Sequence, residues 1–202
     1  MNENQLQVAF IPEDEIRLKA QNFLKKYNPS SIIPVDIERI VEFELGIAII
    51  PVPGLQLAFD IDGWISNDLK TITVDKYEYE EEINRCRFTI AHEVGHFVLH
   101  REIFKQLIFS NIDEWKYFVN NFNPKQYSWL ETQANIFAGH VLIPKEHIEG
   151  RYKKMTDKVS EEGFDIQFDL DSFNQYVCRW MAQEFKVSYR PMEIRLKKEG
   201  YI

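Results

Sequence analysis

An α+β fold is predicted by three features of the sequence. Short apolar runs at "IAIIPV", "LQLAFDIDGWISN" and "TITVD" follow one another closely, which predicts a small, mostly antiparallel sheet. The stretch "RFTIAHEVGHFVL" is apolar around most of its girth, which predicts a buried helix for that sheet to pack on. Elsewhere apolar residues recur at helical period, and the chain closes with a helix–turn–helix-like pair. Residues 1–175 are read as one domain with N-terminal helices, and 176–202 as a helical pair packed on the same domain.

Each element has a local reason. In "EDEIRLKAQNFLKKY", Ile16, Ala20, Phe23, Leu24 and Tyr27 fall near one face, giving an amphipathic helix that "NPSSIIP" stops. "VDIERIVEFELG" is a second helix closed by Gly46. The strand region follows, with an Asp-Gly turn at 62–63. "EYEEEINRCRFTIAHEVGHFVLHREIF" then reads as one long helical stretch, its glutamates at 80–82 suiting the positive end of the helix dipole. "SNIDEWKYFVNNFNPKQYS" is a broken helix with a loop near Pro124. "WLETQANIFAGHVL" is a further helix, stopping before Pro144, which opens "KEHIEGRYKKM". Residues 156–171 read as an irregular, mostly acidic connection before the final helices "FNQYVCRWMAQEF" and "YRPMEIRLKKEGYI".

Composition bounds the function. Twenty-four basic against thirty-two acidic residues give a net charge of −8, which argues against charge-driven nucleic-acid binding by the whole chain. Direct DNA contact by the basic C-terminal pair, with Lys186, Arg190, Arg195, Lys197 and Lys198, is not favoured either, because Ile194, Leu196 and Tyr201 read as packing residues. Cys86 and Cys178 lack the CxxC spacing and read as reduced thiols. The N-terminus lacks the pattern of a signal peptide, and no window reaches the ~18 apolar residues of a membrane span. A soluble, cytoplasmic protein with no membrane partner is expected.

The chemistry lies in "TIAHEVGHFVLH", with histidines at 92, 96 and 100. Positions i and i+4 on a helix lie about 40° apart and one turn up, so His92 and His96 can aim at one point. Glu93 can reach a water held there. This is the HExxH arrangement, in which two imidazoles bind Zn²⁺ and the glutamate takes a proton from the water. His100 is about 12 Å along the axis from His92, too far to share an ion bound at ~2.0–2.1 Å. It reads as a core histidine or as one that supports a ligand. Two histidines therefore bind, and the expected cofactor is one zinc ion per chain.

A third protein ligand is needed. A metzincin would require Gly at 99 and His at 102, where the chain has Leu99 and Glu102. Glu102, Asp113, Glu114, Glu131 and His140 are the downstream candidates. Glu131 stands out, because it lies on a largely apolar helix with Asn135 one turn on along the same face. That pair fits a ligand carboxylate and an amide that orients a ligand imidazole, although a helix-start glutamate with a structural asparagine remains the plainer alternative. His140, nine residues after Glu131, is read as nearly on that side too, a candidate oxyanion donor or a structural histidine. Tyr127 and His147 are weaker candidates for the same role.

Together "RFTIAHEVGHFVLH" at 87–100, "ETQANIFAGHVLIP" at 131–144 and "EFKVSYRPMEIRLKKEGYI" at 184–202 resemble the ImmA/IrrE family of zinc metallopeptidases. The resemblance covers about residues 30–202, with 101–127 and 145–175 matching no motif. It implies a zincin-like metallopeptidase core and a gluzincin-like site: His92, His96 and Glu131 as ligands and Glu93 as general base. It also implies an endopeptidase that cleaves a helix-turn-helix repressor of the XRE type, encoded nearby, in mobile elements, stress responses or toxin–antitoxin loci. A zinc-binding regulatory or toxin–antitoxin partner that binds a repressor without cutting it is the alternative. The chain departs from the pattern at 139–143, where relatives commonly carry small and apolar residues without a histidine at the position of His140.

Overall fold

The computed structural model describes residues 7–107, 112–161 and 169–202. Helix α1 (Glu13–Tyr27) carries three acids in its first turn and two lysines in its last, matching the helix dipole, and buries Ile16, Ala20, Phe23 and Leu24. Helix α2 (Ile37–Arg39) is capped by the Asp36 side chain and widens into a π-helical turn over Ile40–Glu44 before Gly46, at φ +66°, reverses the chain.

Three strands follow: β1 (Ala48–Val52), β2 (Gly63–Ile65) and β3 (Thr71–Asp75). Their order is β1-β3-β2, with β1 and β3 parallel and β2 and β3 antiparallel. The α+β class holds, but the sheet is mixed rather than mostly antiparallel. The last strand, β3, inserts between the first two. The expected strand-like run before Asp62 is instead the short helix α3 (Leu55–Phe59). Gly54 and Asp60, both left-handed, bracket it, and the Asp75 carboxylate accepts the Gln56 N–H. Asp62-Gly63 is therefore no hairpin turn. Gly63 opens β2, and the β2–β3 hairpin closes through residues 66–70.

The long helical stretch is broken twice, into α4 (Lys76–Glu80), α5 (Ile83–Leu99) and α6 (Arg101–Phe104). After α7 (Ile112–Asn121), α8 (Pro124–Leu142) begins five residues earlier than expected. Pro124 lies in its first turn, where no N–H is needed, and the Asn123 side chain caps the N–H groups of Lys125 and Gln126. Helix α9 (Ile148–Glu161) extends into the segment expected to be irregular; of that segment, 162–168 lie outside the described residues. The expected closing pair is present as α10 (Leu170–Phe185) and α11 (Tyr189–Lys198).

One contiguous apolar core runs from Ile16 of α1 through Ile90 of α5 and Phe137 of α8 to Leu196 of α11. At its centre α5 and α8 approach very closely. A Cβ on Gly95 would lie 3.0 Å from the backbone of Ala134, so only glycine lets the two helices meet there. Gly63 does the same for the sheet, since a Cβ there would strike the Thr89 side chain at 2.5 Å. Buried Arg87 anchors the start of α5, pairing with Glu38 and donating to the carbonyls of Val35 and Lys186. No described helix is long and apolar enough to cross a membrane.

Candidate metal centre

His92, Glu93 and His96 all come from the buried stretch of α5, and Glu131 comes across the Gly95 contact from α8. The Nε2 atoms of His92 and His96 are 3.0 Å apart. Glu131 places Oε2 3.2 Å from the first and Oε1 3.6 Å from the second. For a tetrahedral zinc ion with bonds of ~2.0–2.1 Å, ligand atoms sit about 3.3–3.4 Å from one another. The observed triangle has that size. These three residues form a group that can hold a metal ion, and they fit zinc.

The hydrogen bonds behind the histidines make the same point. Gln133 donates its amide N–H to the carbonyl of Ala9 at 3.0 Å, which turns its Oε1 towards His100. That oxygen accepts from His100 Nε2 at 2.9 Å, so the neutral His100 ring keeps Nδ1 bare. His96 Nδ1, 3.0 Å away, must then donate to it, leaving the lone pair of His96 on Nε2. On the other ring, His92 Nδ1 donates to Asn135 Oδ1 at 3.0 Å, so its lone pair also sits on Nε2. Two lone pairs thus face each other beside a carboxylate, an arrangement that suits a metal cation between them.

The electrostatics agree. Burial pulls the His92 pKa down, but Glu131 and Glu93 outweigh it and raise it to about 9, so the two carboxylates favour a cation at His92 Nε2, either a proton or a metal ion in its place. His96 is pushed well down by burial and by its histidine neighbours, and His100 to about 4, chiefly by burial. Glu93 is 5% exposed, and burial raises its carboxyl to about 7, with His92 opposing, Glu131 adding, and the Ile65 backbone N–H steadying its charged form. A carboxyl poised near neutrality is suited to taking and returning a proton.

The structure brings Tyr127 to the same place. It is half-buried in the cleft, and burial together with the Glu131 and Glu93 charges holds its pKa far above the usual phenol range. His140 goes elsewhere, because nine residues at 100° each amount to two and a half turns. It faces away from Glu131, with Nε2 3.8 Å from Glu13 Oε1, and does not line the metal-site cleft. His147 is also remote, its Nε2 2.8 Å from Ser31 Oγ. Sequence reasoning missed Gln133, whose only signal was an amide on an otherwise apolar helix.

The group lies in a cleft of about 500 Å³. One wall is the edge strand β2 with Asp62 and Trp64, another is Trp115 and Phe118 of α7, and a third is Arg190 and Pro191 of α11. A comparison with curated proteins gives no match. A family model described as the IrrE N-terminal-like domain of the M78 peptidases matches residues 77–197, a span that holds all three candidate ligands and Glu93. The chain belongs to this IrrE/ImmA-type peptidase family.

Proposed function

We propose that the chain is a zinc-dependent endopeptidase that cuts an intracellular protein, an XRE-type helix-turn-helix repressor encoded near its own gene. The observation that carries the chemistry is the convergence of His92, His96 and Glu131 with buried Glu93 beside them. Family membership supports the reaction class, and the repressor substrate rests on the ImmA/IrrE resemblance alone. Direct DNA binding is not part of this reading.

A zinc ion held by these residues supplies an acidified water and a Lewis acid for the scissile carbonyl. The protein's own groups do the rest. Glu93 takes the proton as water attacks and passes it to the leaving amine. The Tyr127 hydroxyl, which lines the same cleft, is the candidate to stabilise the oxyanion. Strand β2 is at the sheet edge, so an extended substrate segment can pair with it while its side chains rest against the cleft walls.

The test is to incubate the zinc-loaded protein and its Glu93→Gln variant with the repressor encoded beside the gene. Cleavage by the wild type alone, with equal zinc in both, is expected. Repressor release without cleavage, unchanged in Glu93→Gln, would replace hydrolysis with the binding-only alternative.

A further inference from the structure

A second pocket, of about 420 Å³, opens between α8 and α11 on the face of α8 that carries His140. It shares Phe88, Asn135, Arg190 and Pro191 with the metal-site cleft and runs from there to Arg195. Its sides are mainly apolar, with Ile136 and Ile194 facing each other across it. Three cations line it, Arg190, Arg195 and Lys198, paired with Glu193, Glu199 and Glu13 respectively, and of these only Arg195 keeps a buried N–H group without a hydrogen-bond partner among the described residues.

Two features of this pocket have no structural explanation within the fold. Arg195 is 4% exposed; its Nε donates to the Ile143 carbonyl and its Nη1 pairs with Glu199, yet among the described residues Nη2 has no hydrogen-bond partner. His140, 7% exposed, likewise keeps Nε2 without one. Buried polar atoms left so are destabilising, because they lose their hydrogen bonds to water without replacement. Gly139 is the other feature. A glycine inside a helix is less stable there than alanine, and a close approach normally explains it. Here a Cβ would meet nothing within 4 Å. What the missing side chain leaves open is the pocket itself.

We infer that this pocket is a binding site for a small carboxylate with an apolar body, its anionic end held by Arg195 and His140 and its body against Ile136, Gly139 and Ile194. Arginine and carboxylate match as charge-assisted hydrogen-bonding partners, and the pocket lies within the volume range of small-molecule sites. A ligand seated there also touches Asn135, the residue that orients His92, so occupancy is coupled to the metal centre. The inference does not require the chain to be a peptidase.

Calorimetric titration of the full-length, zinc-loaded protein with acetate, hexanoate, octanoate and 1-octanol tests it. Octanoate is expected to bind about tenfold or more tightly than 1-octanol, the difference a charged hydrogen bond makes. It is also expected to bind more tightly than acetate. A Cβ at Gly139 meets nothing within 4 Å, so Gly139→Leu, which puts its side chain into the pocket, is expected to stay folded and to lose octanoate binding at least tenfold. Arg195→Met removes the charge and is expected to make octanoate and 1-octanol bind alike. Equal binding of the two by the wild type would overturn the role of the charge. Octanoate binding unchanged in Gly139→Leu would assign the carboxylate to the metal instead, and no binding by any chain length would overturn the site.

Discussion

His100 and His140 are both deeply buried, and burial pushes both to a pKa of about 4. They differ in what their nitrogens meet. His100 is the middle of a relay from Ala9 through Gln133 to His96, each donor matched to an acceptor. His140 lies beside the buried Arg195, and its Nε2, 3.8 Å from Glu13 Oε1, makes no hydrogen bond among the described residues. A depressed histidine pKa therefore says only that the ring is dry. Its role is written in the hydrogen bonds, and those place His100 behind the metal centre and His140 in a separate pocket.

The largest effect expected belongs to the residue that neither histidine can replace. Glu93→Gln should lower the rate of peptide hydrolysis by about 10²–10⁴-fold, measured on a cleaved substrate, while zinc content stays equal to wild type. Next comes the comparison itself. His100→Phe should weaken zinc affinity by about 10–100-fold in competition with a chelator, since it removes the acceptor that fixes the His96 tautomer. His140→Phe should leave zinc affinity unchanged. Equal losses in the two variants would erase the distinction.

Acid acts on both in the same sense, and His140 shows the effect away from the metal centre. His140 is neutral in the fold down to about pH 4, whereas an unfolded histidine takes its proton near 6.5. As pH falls through that window the unfolded chain binds the proton first, so stability present above about 6.5 is progressively lost. The melting temperature of His140→Phe should therefore fall less than that of wild type between about pH 7 and pH 5. The smallest effects concern two glycines of the α5–α8 pair. Gly95→Ala forces a Cβ against the Ala134 backbone and should destabilise the fold by about 1–3 kcal/mol in urea unfolding. Gly139→Ala should stabilise it by roughly 0.5–1 kcal/mol.

Much of the centre was legible because helix geometry is local. His92 and His96 at i and i+4, and Glu131 with Asn135 at the same spacing, each specify a shared face without knowledge of the fold. The same rule, carried through, puts His140 half a turn from Glu131, so that misplacement was one of arithmetic rather than of principle. Other features were out of reach. Whether β3 pairs beside or between its predecessors depends on tertiary packing, and a run such as "LQLAF" becomes helix because of left-handed residues at both ends. Gln133 acts on His100 across 33 residues and Ala9 on Gln133 across 124, separations that no local pattern encodes.

The central claim is that three side chains from two helices close on one metal ion. Elemental analysis of purified protein after zinc loading and dialysis, with wild type beside Glu131→Ala, tests it most directly. About one zinc per wild-type chain, held markedly less well by the variant, is the expected result. No zinc in the wild type, or equal retention by both proteins, would contradict the three-ligand centre.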